Sequence, residues 1–287
     1  MILSDKWEDY EILGAKDGQK LERWNKFILK RPDPTIFWRG KISESDFNKY
    51  DALYNRSSSG GGSWQYKRPM PESWEVSYKD LTFMVKPTGF KHTGIFPEQS
   101  ANWDYAAEKI KNANRKIKVL NLFAYTGCAT VSASKAGAVE VVHVDASKGM
   151  TQIAKKNAEL SGVSEYFIRY IVDDVFKFVE KEIRRGNKYD AVIMDPPSYG
   201  RGTNGQIWKI EDSLNDLLEQ VNKVLSDEPL FVLISSYTTN ISSLALNNIV
   251  KSSSIRTRFK NIQTDELALP IKDEEVYLPC GICARCD

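Results

Sequence analysis

The stretch KVLNLFAYTGCATVSASKAGAVEVVHVD, residues 118–145, decides the fold class of this chain. An apolar run, KVLNLFAY, precedes a segment of small residues from Thr126 to Gly137, and a second apolar run, VEVVHVD, follows that segment. The two apolar runs have the length and composition of buried strands, whereas the segment between them is typical of a helix. Strand, helix and strand in this order predict a parallel sheet that is covered by helices.

The alternation of strand and helix continues toward the C-terminus and extends this α/β pattern. The predicted elements are a helix over 147–161 with Gly162 as its stop, a strand in YFIRYIV, a helix over 174–185, a strand in YDAVIMD, a helix within 206–225, a strand in PLFVLISS, a helix over 241–251 and a closing extended region. Strands that alternate with helices of this length are typical of a doubly wound, Rossmann-like sheet.

The first 80 residues have a different pattern, which predicts a small β-rich domain. Short aromatic and branched runs alternate there with turn signals, and the polar stretch RSSSGGGS over 56–63 predicts a flexible connector. Five of the seven tryptophans lie in the first 100 residues, some beside Arg or Lys. Such aromatics suit stacking on unpaired bases, and they equally suit the thin core of a small domain. We therefore predict a substrate-holding domain over 1–80 and an α/β domain over 81–287.

Composition and cysteine usage narrow the class of protein. A formal charge of +2 does not indicate a nucleic-acid binder by itself, and no apolar run reaches the length of a membrane span. The N-terminus lacks the features of a signal peptide, so we expect a cytoplasmic protein with no membrane partner. Cys280, Cys283 and Cys286 have no histidine nearby in sequence, so we expect no metal. The sequence does not indicate an oligomeric state.

Residues that follow the predicted strands form the candidate site, because ligands bind beyond the carboxyl ends of parallel strands. Gly127 follows the first strand, where the backbone can approach a ligand at a helix N-terminus. Asp145 lies 18 residues further on, near the roughly 20 expected for a carboxylate that binds a ribose. Asp173 and Asp174 follow the third strand, and Asp195 follows the fourth. This spacing alone fits NAD and S-adenosylmethionine (SAM) equally well.

The segment from Gly94 to Tyr199 carries five ordered motifs, namely HTGIFPEQ, VLNLFAYTGCAT, VVHVDAS, DDVFKF and VIMDPPSYGRG. With these motifs the chain resembles the bacterial large-subunit (23S) rRNA methyltransferase family of the SAM-dependent class I fold. The resemblance implies SAM as the cofactor and an RNA, most of all rRNA, as the substrate. It also implies a seven-stranded methyltransferase sheet whose last, antiparallel strand falls in EEVYLPCGICARC.

The resemblance assigns roles to individual residues of this sequence. Phe96 and Gln99 would touch the cofactor ahead of the α/β core. Tyr125, Thr126 and Gly127 would line its methionine end, Asp145 would bind the ribose hydroxyls, and Asp174 would bind the adenine amine. Asn121, Phe123, Ser147 and Asp195 complete the predicted cofactor set. The predicted catalytic residues, which would face the acceptor, are Asp195, Pro196, Pro197 and Tyr199. Asn121 stands where the family usually has an acid, and Cys128 stands where it has a second glycine.

The acceptor atom is inferred from a cysteine that is absent from the sequence. Methylation of carbon 5 of a cytosine requires a nucleophile, usually a cysteine, that adds to the ring. Some members of the resembled family carry this cysteine after the fifth strand, where this chain reads LISSYTTN. A nitrogen acceptor is therefore favoured, and an oxygen acceptor is less favoured.

Three other interpretations stay open at this point. The same cofactor fits a methyltransferase that acts on a small molecule or a protein. A catalytically idle RNA-binding protein on this fold is a further alternative. An NAD enzyme ranks last, because the loop lacks the G-x-G-x-x-G pattern.

Overall fold

The computed structural model describes residues 1–57, 61–201, 207–237 and 241–287. The chain divides into two compact units. The first unit contains residues 1–100 and 267–280, and the second contains residues 101–266 and 281–287. Among the described residues, no helix has the length and apolar character that a membrane crossing requires.

The first unit is rich in β structure, as the sequence predicts. Its elements are β1 (Ile2–Leu3), β2 (Tyr10–Lys16), β3 (Gln19–Trp24), β4 (Phe27–Pro32), α1 (Glu44–Phe47), β5 (Ala52–Arg56), β6 (Gly62–Tyr66), β7 (Trp74–Tyr78) and β8 (Leu81–Val85). Strands β2 to β6 form one sheet in chain order, and β7 pairs with β8. The predicted boundary at residue 80 falls in the turn between β7 and β8, and the compact unit extends to residue 100.

The stretch RSSSGGGS, predicted to be a flexible connector, lies between two paired strands. β5 and β6 are antiparallel, with Arg56 opposite Gly62 and Tyr54 opposite Trp64. The stretch therefore joins the two strands of a hairpin. Its residues 58–60 lie outside the described part of the chain.

Three of the N-terminal tryptophans, Trp24, Trp64 and Trp74, are fixed by hydrogen bonds within the first unit. Trp24 is fully buried, and its carbonyl oxygen accepts a hydrogen bond from Nε1 of Trp74 at 3.1 Å. The Trp74 ring also packs 4.6 Å from that of Phe27, measured between centroids. Nε1 of Trp64 donates to the carbonyl oxygen of Thr88 at 2.8 Å. Trp24 therefore has the core role that the sequence allowed for, whereas Trp64 and Trp74 are partly exposed and hold neighbouring segments.

A buried ion pair lies within the β2–β4 sheet. The Glu22 carboxylate has no exposed surface and accepts from Nε of Arg31 at 2.6 Å, from Nη2 of Arg31 at 2.8 Å and from the Tyr10 hydroxyl at 2.7 Å. Burial by itself opposes ionisation of Glu22, but Arg31 and Lys20 outweigh it and lower the pKa of Glu22 to about 2. The pair therefore stays charged in the interior because each ion is compensated by the other.

The second unit contains the α/β sheet and its helices. Its elements are α2 (Ser100–Asn112), β9 (Lys118–Leu122), α3 (Cys128–Lys135), β10 (Glu140–Asp145), α4 (Lys148–Leu160), β11 (Ile168–Val172), α5 (Val175–Arg185), β12 (Ala191–Met194), β13 (Tyr199–Arg201), β14 (Ile207–Lys209), α6 (Ile210–Val224), β15 (Phe231–Ser236), α7 (Ser243–Ser252), β16 (Ile262–Pro270) and β17 (Tyr277–Cys286). The last two strands and the first residue of α2 cross the boundary between the units.

The sheet has the doubly wound order that the sequence predicts. Among the described residues its order is β1-β16-β17-β15-β12-β9-β10-β11. β9, β10, β11, β12 and β15 are parallel neighbours, and β17 runs antiparallel to β15, as expected for the last strand. The sheet has one strand more than the seven expected, because Ile2 and Leu3 pair in parallel with Leu267 and Ala268 of β16.

The central strands β9, β10, β12 and β15 are buried on both faces, which explains their nearly continuous apolar sequences. Leu120, Val142 and Val192 belong to one core cluster, which includes apolar residues of α5 and α6. The other cluster contains neighbouring positions such as Val119 and Val141, together with residues of α2 and α3. The alternation of neighbouring positions between two clusters is the mark of strands that are covered on both sides.

The starts of α4 and α5 follow local signals in the sequence. The Ser147 hydroxyl accepts from the Met150 N–H at the start of α4, and Asp174 accepts from the Lys177 N–H at the start of α5. The helix predicted within 206–225 spans Ile210–Val224, and residues 207–209 ahead of it form β14, which pairs with β13. Gln206 lies outside the described residues.

The Glu22–Arg31 pair generates a prediction on stability. We expect Glu22→Gln to lower the free energy of unfolding by about 3–5 kcal/mol, because it leaves the Arg31 charge buried without its partner. Glu11→Gln is the matched control, since Glu11 is one-third exposed and lies 3.5 Å from its cations; its loss should stay below about 1 kcal/mol. Urea unfolding followed by tryptophan fluorescence measures both, and equal losses would contradict the assignment.

The same pair predicts how stability depends on pH. The folded-state pKa of Glu22 lies below its ordinary value of 4.5. Its contribution, roughly 3 kcal/mol, is therefore present above pH 4.5 and is lost as the pH falls toward about 2. The Glu22→Gln variant should lack this part of the acid transition.

Candidate active site

The ends of four parallel strands lie in one row across the sheet. Leu122 of β9 is opposite Val144 of β10 on one side and Met194 of β12 on the other. Val144 is in turn opposite Ile171 of β11. The residues that follow this row, Val172, Asp145, Phe123 and Asp195, therefore come to the same edge of the sheet. The sequence prediction that these strand ends meet is confirmed by this register.

The loop after β9 is shaped by three residues in left-handed backbone conformations. Phe123 has φ 54°, Tyr125 has φ 49° and Gly127 has φ 79°. The loop is held at both sides by hydrogen bonds, since the Ala124 N–H donates to Val144 at 3.0 Å and the Gly127 N–H donates to Ala124 at 2.9 Å. Two non-glycine residues with positive φ store strain, and such strain is concentrated at functional sites.

Only glycine fits at position 127, because there is no room for a Cβ and because the backbone is in the left-handed conformation. A Cβ on this residue would lie 2.7 Å from Cβ of Ala154 and 3.4 Å from Cε1 of His143. The start of α3 therefore approaches α4 and β10 more closely than any side chain permits. The first N–H groups of α3 remain at the sheet edge, where a helix N-terminus favours negative or polar ligand groups.

Asp145 bridges the loop after β9 to the start of α4. Its Oδ2 accepts from the Tyr125 N–H and its Oδ1 from the Ser147 N–H, each at 2.8 Å. Burial raises the pKa of Asp145, and the N–H groups of Ser147 and Tyr125 act in the opposite direction. Each carboxylate oxygen has a second lone pair, so Asp145 can still accept from the hydroxyl groups of a ligand.

The two acids after β11 have different surroundings. Asp173 forms an ion pair with Nζ of Lys181 at 2.5 Å and accepts from the Asp174 N–H at 2.9 Å. Asp174 uses Oδ1 to accept from the Lys177 N–H at 3.1 Å, at the start of α5. Its other oxygen has no hydrogen-bond partner among the residues that the structure describes. Of the two, Asp174 is therefore the better acceptor for a ligand amine.

The segment after β12 turns into a hairpin. Pro196 is buried, whereas Pro197, Ser198 and Tyr199 are exposed. Tyr199 is opposite Lys209, and Gly200 is opposite Trp208. The Tyr199 ring is 51% exposed and shares the outer face of the hairpin with Ile207 and Lys209. Gly202, at the end of the predicted acceptor motif, lies outside the described residues.

Trp208 is a residue of this site that the sequence reasoning missed. Its Nε1 donates to the carbonyl oxygen of Pro197 at 2.5 Å, and its ring lies 5.0 Å from that of Phe123 and 5.8 Å from that of Phe176, between centroids. It thus connects segments after β9, β11 and β12. The only sequence signal was a lone tryptophan before an amphipathic helix, and such a residue usually belongs to a core.

Asn121, a predicted cofactor residue, lies beneath the helix α3. Its Nδ2 donates to Oγ1 of Thr130 at 2.9 Å, and that oxygen lies 3.0 Å from Nδ1 of His143. All three side chains are buried, and burial lowers the pKa of His143 to about 3, so the ring is neutral at physiological pH. Asn121 thus supports the start of α3 through Thr130. The sequence reasoning missed Thr130 and His143.

Four further predicted residues lie at or beside helix starts. Phe96 precedes the 3-10 turn Pro97–Gln99, and Gln99 is buried; both belong to the first unit. Ser147 begins α4 and supplies its N–H to Asp145. Thr126 accepts from Nδ2 of Asn157 at 2.8 Å through its carbonyl oxygen.

The groups of the second unit fit an adenosine cofactor. Asp145 and Asp174 are acceptors of the kind that ribose hydroxyls and an adenine amine require, and the glycine turn gives close access to the N-terminus of α3. Among the described residues, no group of three or more His, Cys, Asp and Glu side chains could hold a metal.

A doubly wound sheet with this glycine turn and these carboxylates at successive strand ends defines the class I, nucleoside-binding type of methyltransferase fold. Comparison with protein families agrees, since the model of the S-adenosylmethionine-dependent methyltransferase family matches residues 49–226, more than half of the chain. The chain belongs to this family. It is an enzyme that uses SAM as its methyl donor.

Similar proteins include ribosomal RNA methyltransferases and a solved bacterial enzyme. The chain is 29% identical over 207 residues to ribosomal RNA large subunit methyltransferase I of Aliivibrio fischeri, covering 71% of this chain and 49% of that protein. It is 24% identical over 242 residues to ribosomal RNA large subunit methyltransferase K of Neisseria meningitidis, covering 82% of this chain and 66% of that protein. The chain thus spans less than two thirds of the length of these curated relatives.

The solved structure covers the whole of this chain. It is the SAM-dependent methyltransferase from Agrobacterium tumefaciens, with a TM-score of 0.93, 31% identity, and coverage of 100% of this chain and 92% of that one.

The Gly127 turn generates a prediction on cofactor affinity. Gly127→Ala should weaken SAM binding by about tenfold or more, roughly 1.4 kcal/mol, because its Cβ displaces the loop from Ala154. Gly162→Ala is the control, since Gly162 has φ 67° and open space around it. Both variants should lose about 1–2 kcal/mol of stability to backbone strain. Calorimetry that finds the same SAM affinity for the two variants would show that the close approach at Gly127 is irrelevant to binding.

Proposed function

We propose that this enzyme methylates a base of ribosomal RNA in the cytoplasm, with a nitrogen atom as the acceptor. An RNA substrate is supported by the names of its relatives, which are ribosomal RNA large subunit methyltransferases. The observation that carries the nitrogen acceptor is the state of the four cysteines. A thiol must be both accessible and ionised to add to a cytosine ring, and none of the four meets both conditions.

Three of the four thiols are buried, and that of Cys280 is partly exposed. Burial raises the pKa of Cys128 to about 12 and that of Cys283 to about 11. The pKa of Cys286 rises to about 12, and that of Cys280 also rises well above its ordinary value. Where a cysteine nucleophile would be expected, β15 ends with Ser235 and Ser236, Tyr237 follows the strand, and Thr238 lies outside the described residues.

Direct transfer to nitrogen requires mainly position and a proton acceptor. SAM supplies, when bound, a methyl group that its sulfonium already activates. We propose that Asp145 binds the ribose hydroxyls, that Asp174 accepts from the adenine amine, and that Gly127 allows close approach of the α3 N-terminus. Phe96, Gln99, Tyr125 and Thr126 are proposed to complete the cofactor contacts.

The acceptor side is proposed to act through Asp195 and Tyr199. The Asp195 carboxylate, at the end of β12, would accept a hydrogen bond from the amino group of the base and take up its proton. Pro196 and Pro197 fix the backbone that follows, because each ring restricts φ. The exposed Tyr199 ring would stack on the base, and Trp208 would hold this segment through Pro197.

The first unit is proposed to hold the RNA substrate. We keep the predicted substrate-holding role of residues 1–80 as part of this proposal. The support is chemical, since this unit is rich in aromatic and cationic side chains.

The acceptor is tested with tritiated SAM and three substrates: protein-free large-subunit rRNA, intact large ribosomal subunits and a metabolite extract. We expect label in RNA, and an N-methylated base after digestion to nucleosides. RNA that contains 5-fluorocytidine should form no covalent adduct, because no thiol attacks the ring. A denaturation-resistant adduct would refute the nitrogen acceptor, and label only in metabolites would refute the RNA substrate.

Cofactor binding and chemistry should be separable in two matched variants. Asp195→Ala should keep the SAM dissociation constant within about twofold and lower the single-turnover rate by about 10²–10⁴. Asp174→Ser keeps a hydroxyl to cap α5 but removes the carboxylate. It should weaken SAM binding by about tenfold and leave the single-turnover rate at saturating SAM unchanged. The roles are wrong if Asp195→Ala transfers methyl groups at the normal rate.

A further inference from the structure

The loop of residues 86–93 in the first unit, hereafter the Phe90 loop, exposes a large aromatic side chain. Phe90 is 72% exposed, and the residues on either side of it, Gly89 and Lys91, are fixed by hydrogen bonds. An exposed phenylalanine gains nothing from burial, and it has no polar group of its own to hydrate. Packing within the first unit therefore does not explain why the Phe90 ring is held exposed.

The Phe90 loop is anchored to the neighbouring hairpin by side chains with donor groups. The Tyr54 hydroxyl donates to the carbonyl oxygen of Gly89 at 2.8 Å, and Nε1 of Trp64 donates to that of Thr88 at 2.8 Å. At the base of the loop, the Thr88 N–H donates to His92 at 2.9 Å. The loop is thus held in place by hydrogen bonds. Binding of a ligand to Phe90 therefore costs little conformational entropy for ordering the loop.

Uncompensated cations lie beside this ring. Lys91 follows Phe90 in the chain, and Arg56 lies opposite Gly62 at the hairpin end, where Gly61 approaches the Phe90 ring. Neither Lys91 nor Arg56 forms an ion pair with a described residue. The neighbouring cations Lys20 and Arg31 are, in contrast, paired with Asp33 at 3.2 Å and Glu22 at 2.6 Å.

The electrostatic surroundings of Lys91 are positive. Burial lowers the pKa of Lys91, and the charges of Lys20, Arg31 and Arg56 lower it further, against the opposing effect of Asp33. The pKa of the adjacent His92 falls to about 4 through burial and through the charges of Arg31, Lys91 and Lys20. A phosphate group would relieve this repulsion, because it supplies the missing negative charge.

The stretch WQYKR, residues 64–68, which carries aromatic and cationic side chains, is less suited to a ligand. Arg68 is paired with Asp51, and Nζ of Lys67 lies 3.6 Å from the Tyr50 ring centroid and donates to the Asn48 carbonyl oxygen. These cations already have partners inside the unit. Lys91 and Arg56 therefore remain as the better phosphate contacts.

From these observations we infer that Phe90, Lys91 and Arg56 form a binding surface for single-stranded RNA, with a base stacked on Phe90 and phosphates on the two cations. A single strand is specified because an exposed ring needs the open face of an unpaired base. This inference rests on the proposed RNA substrate and adds the surface of the first unit that would hold it.

The experiment measures RNA binding without SAM, by fluorescence anisotropy of a labelled single-stranded RNA of about 12 nucleotides. Phe90→Ala and Phe90→Leu should each weaken binding by about 5- to 100-fold, since both remove the ring. Phe90→Trp should bind at least as tightly as the wild type. Phe37→Ala is the matched control, because Phe37 is an even more exposed phenylalanine of the same unit and should not change the affinity by more than about twofold.

The cations are tested by the salt dependence of the same binding. Lys91→Gln should reduce the slope of log affinity against log salt by about 0.7, the value for one phosphate contact on a single strand. Lys49→Gln removes an exposed lysine that is already paired with Asp46 and should leave the slope unchanged.

Two results would overturn the inference. One is Phe90→Leu binding RNA as tightly as the wild type, which would leave an apolar contact for a protein partner as the use of this surface. The other is a salt slope unchanged in Lys91→Gln and Arg56→Gln. Failure of the proposed function is separate, because it appears as a wild-type enzyme that binds SAM and labels no RNA.

Discussion

The close approach of α3 to α4 and β10 at Gly127 is the constraint on which the second unit depends. The space between Gly127 and Ala154 leaves no room for a Cβ, so the chain leaves β9 through a left-handed turn and begins α3 at the sheet edge. That turn also brings the Tyr125 N–H to the Asp145 carboxylate. The close approach at Gly127 thereby fixes the position of the α3 N-terminus relative to Asp145. A nucleoside site requires such a fixed arrangement of its ligand groups.

A buried polar chain supports this turn from below. Asn121, Thr130 and His143 connect β9, α3 and β10 by hydrogen bonds, and all three carry no charge at physiological pH. A neutral amide satisfies Thr130 without placing an ion in the interior, where an uncompensated charge is costly. Asn121 stands where the resembled family usually has an acid. A neutral side chain at this position therefore suits its buried, uncharged surroundings. Its effect on the cofactor is indirect, since it acts through α3.

Much of the second unit was predictable, because its signals are local or periodic. The β9–α3–β10 segment follows from apolar runs on either side of small residues, and the caps at Ser147 and Asp174 follow from residue type. The β13–β14 hairpin was not predictable, since strands of three residues show no periodicity. The connecting role of Trp208 depends on contacts with Phe123 and Phe176, which are distant in sequence. The boundary predicted at residue 80 lies in the turn between β7 and β8.

Several aromatic side chains with a polar group hold backbone segments in place, whereas the ring of Phe90 is left exposed. Trp64, Trp74 and Tyr54 each donate to a backbone carbonyl inside the first unit, and Trp208 does the same in the second. These bonds hold segments in place, and the rings pack against their neighbours. Phe90 has no donor and makes no such bond, yet the loop beside it is fixed by Tyr54 and Trp64. Composition alone cannot separate these roles. The sequence shows that Tyr54, Trp64 and Phe90 are aromatic, but not which of them anchors the loop and which is exposed by it. The inferred RNA-binding surface therefore depends on the ring that the packing leaves exposed, and the number of tryptophans does not predict it.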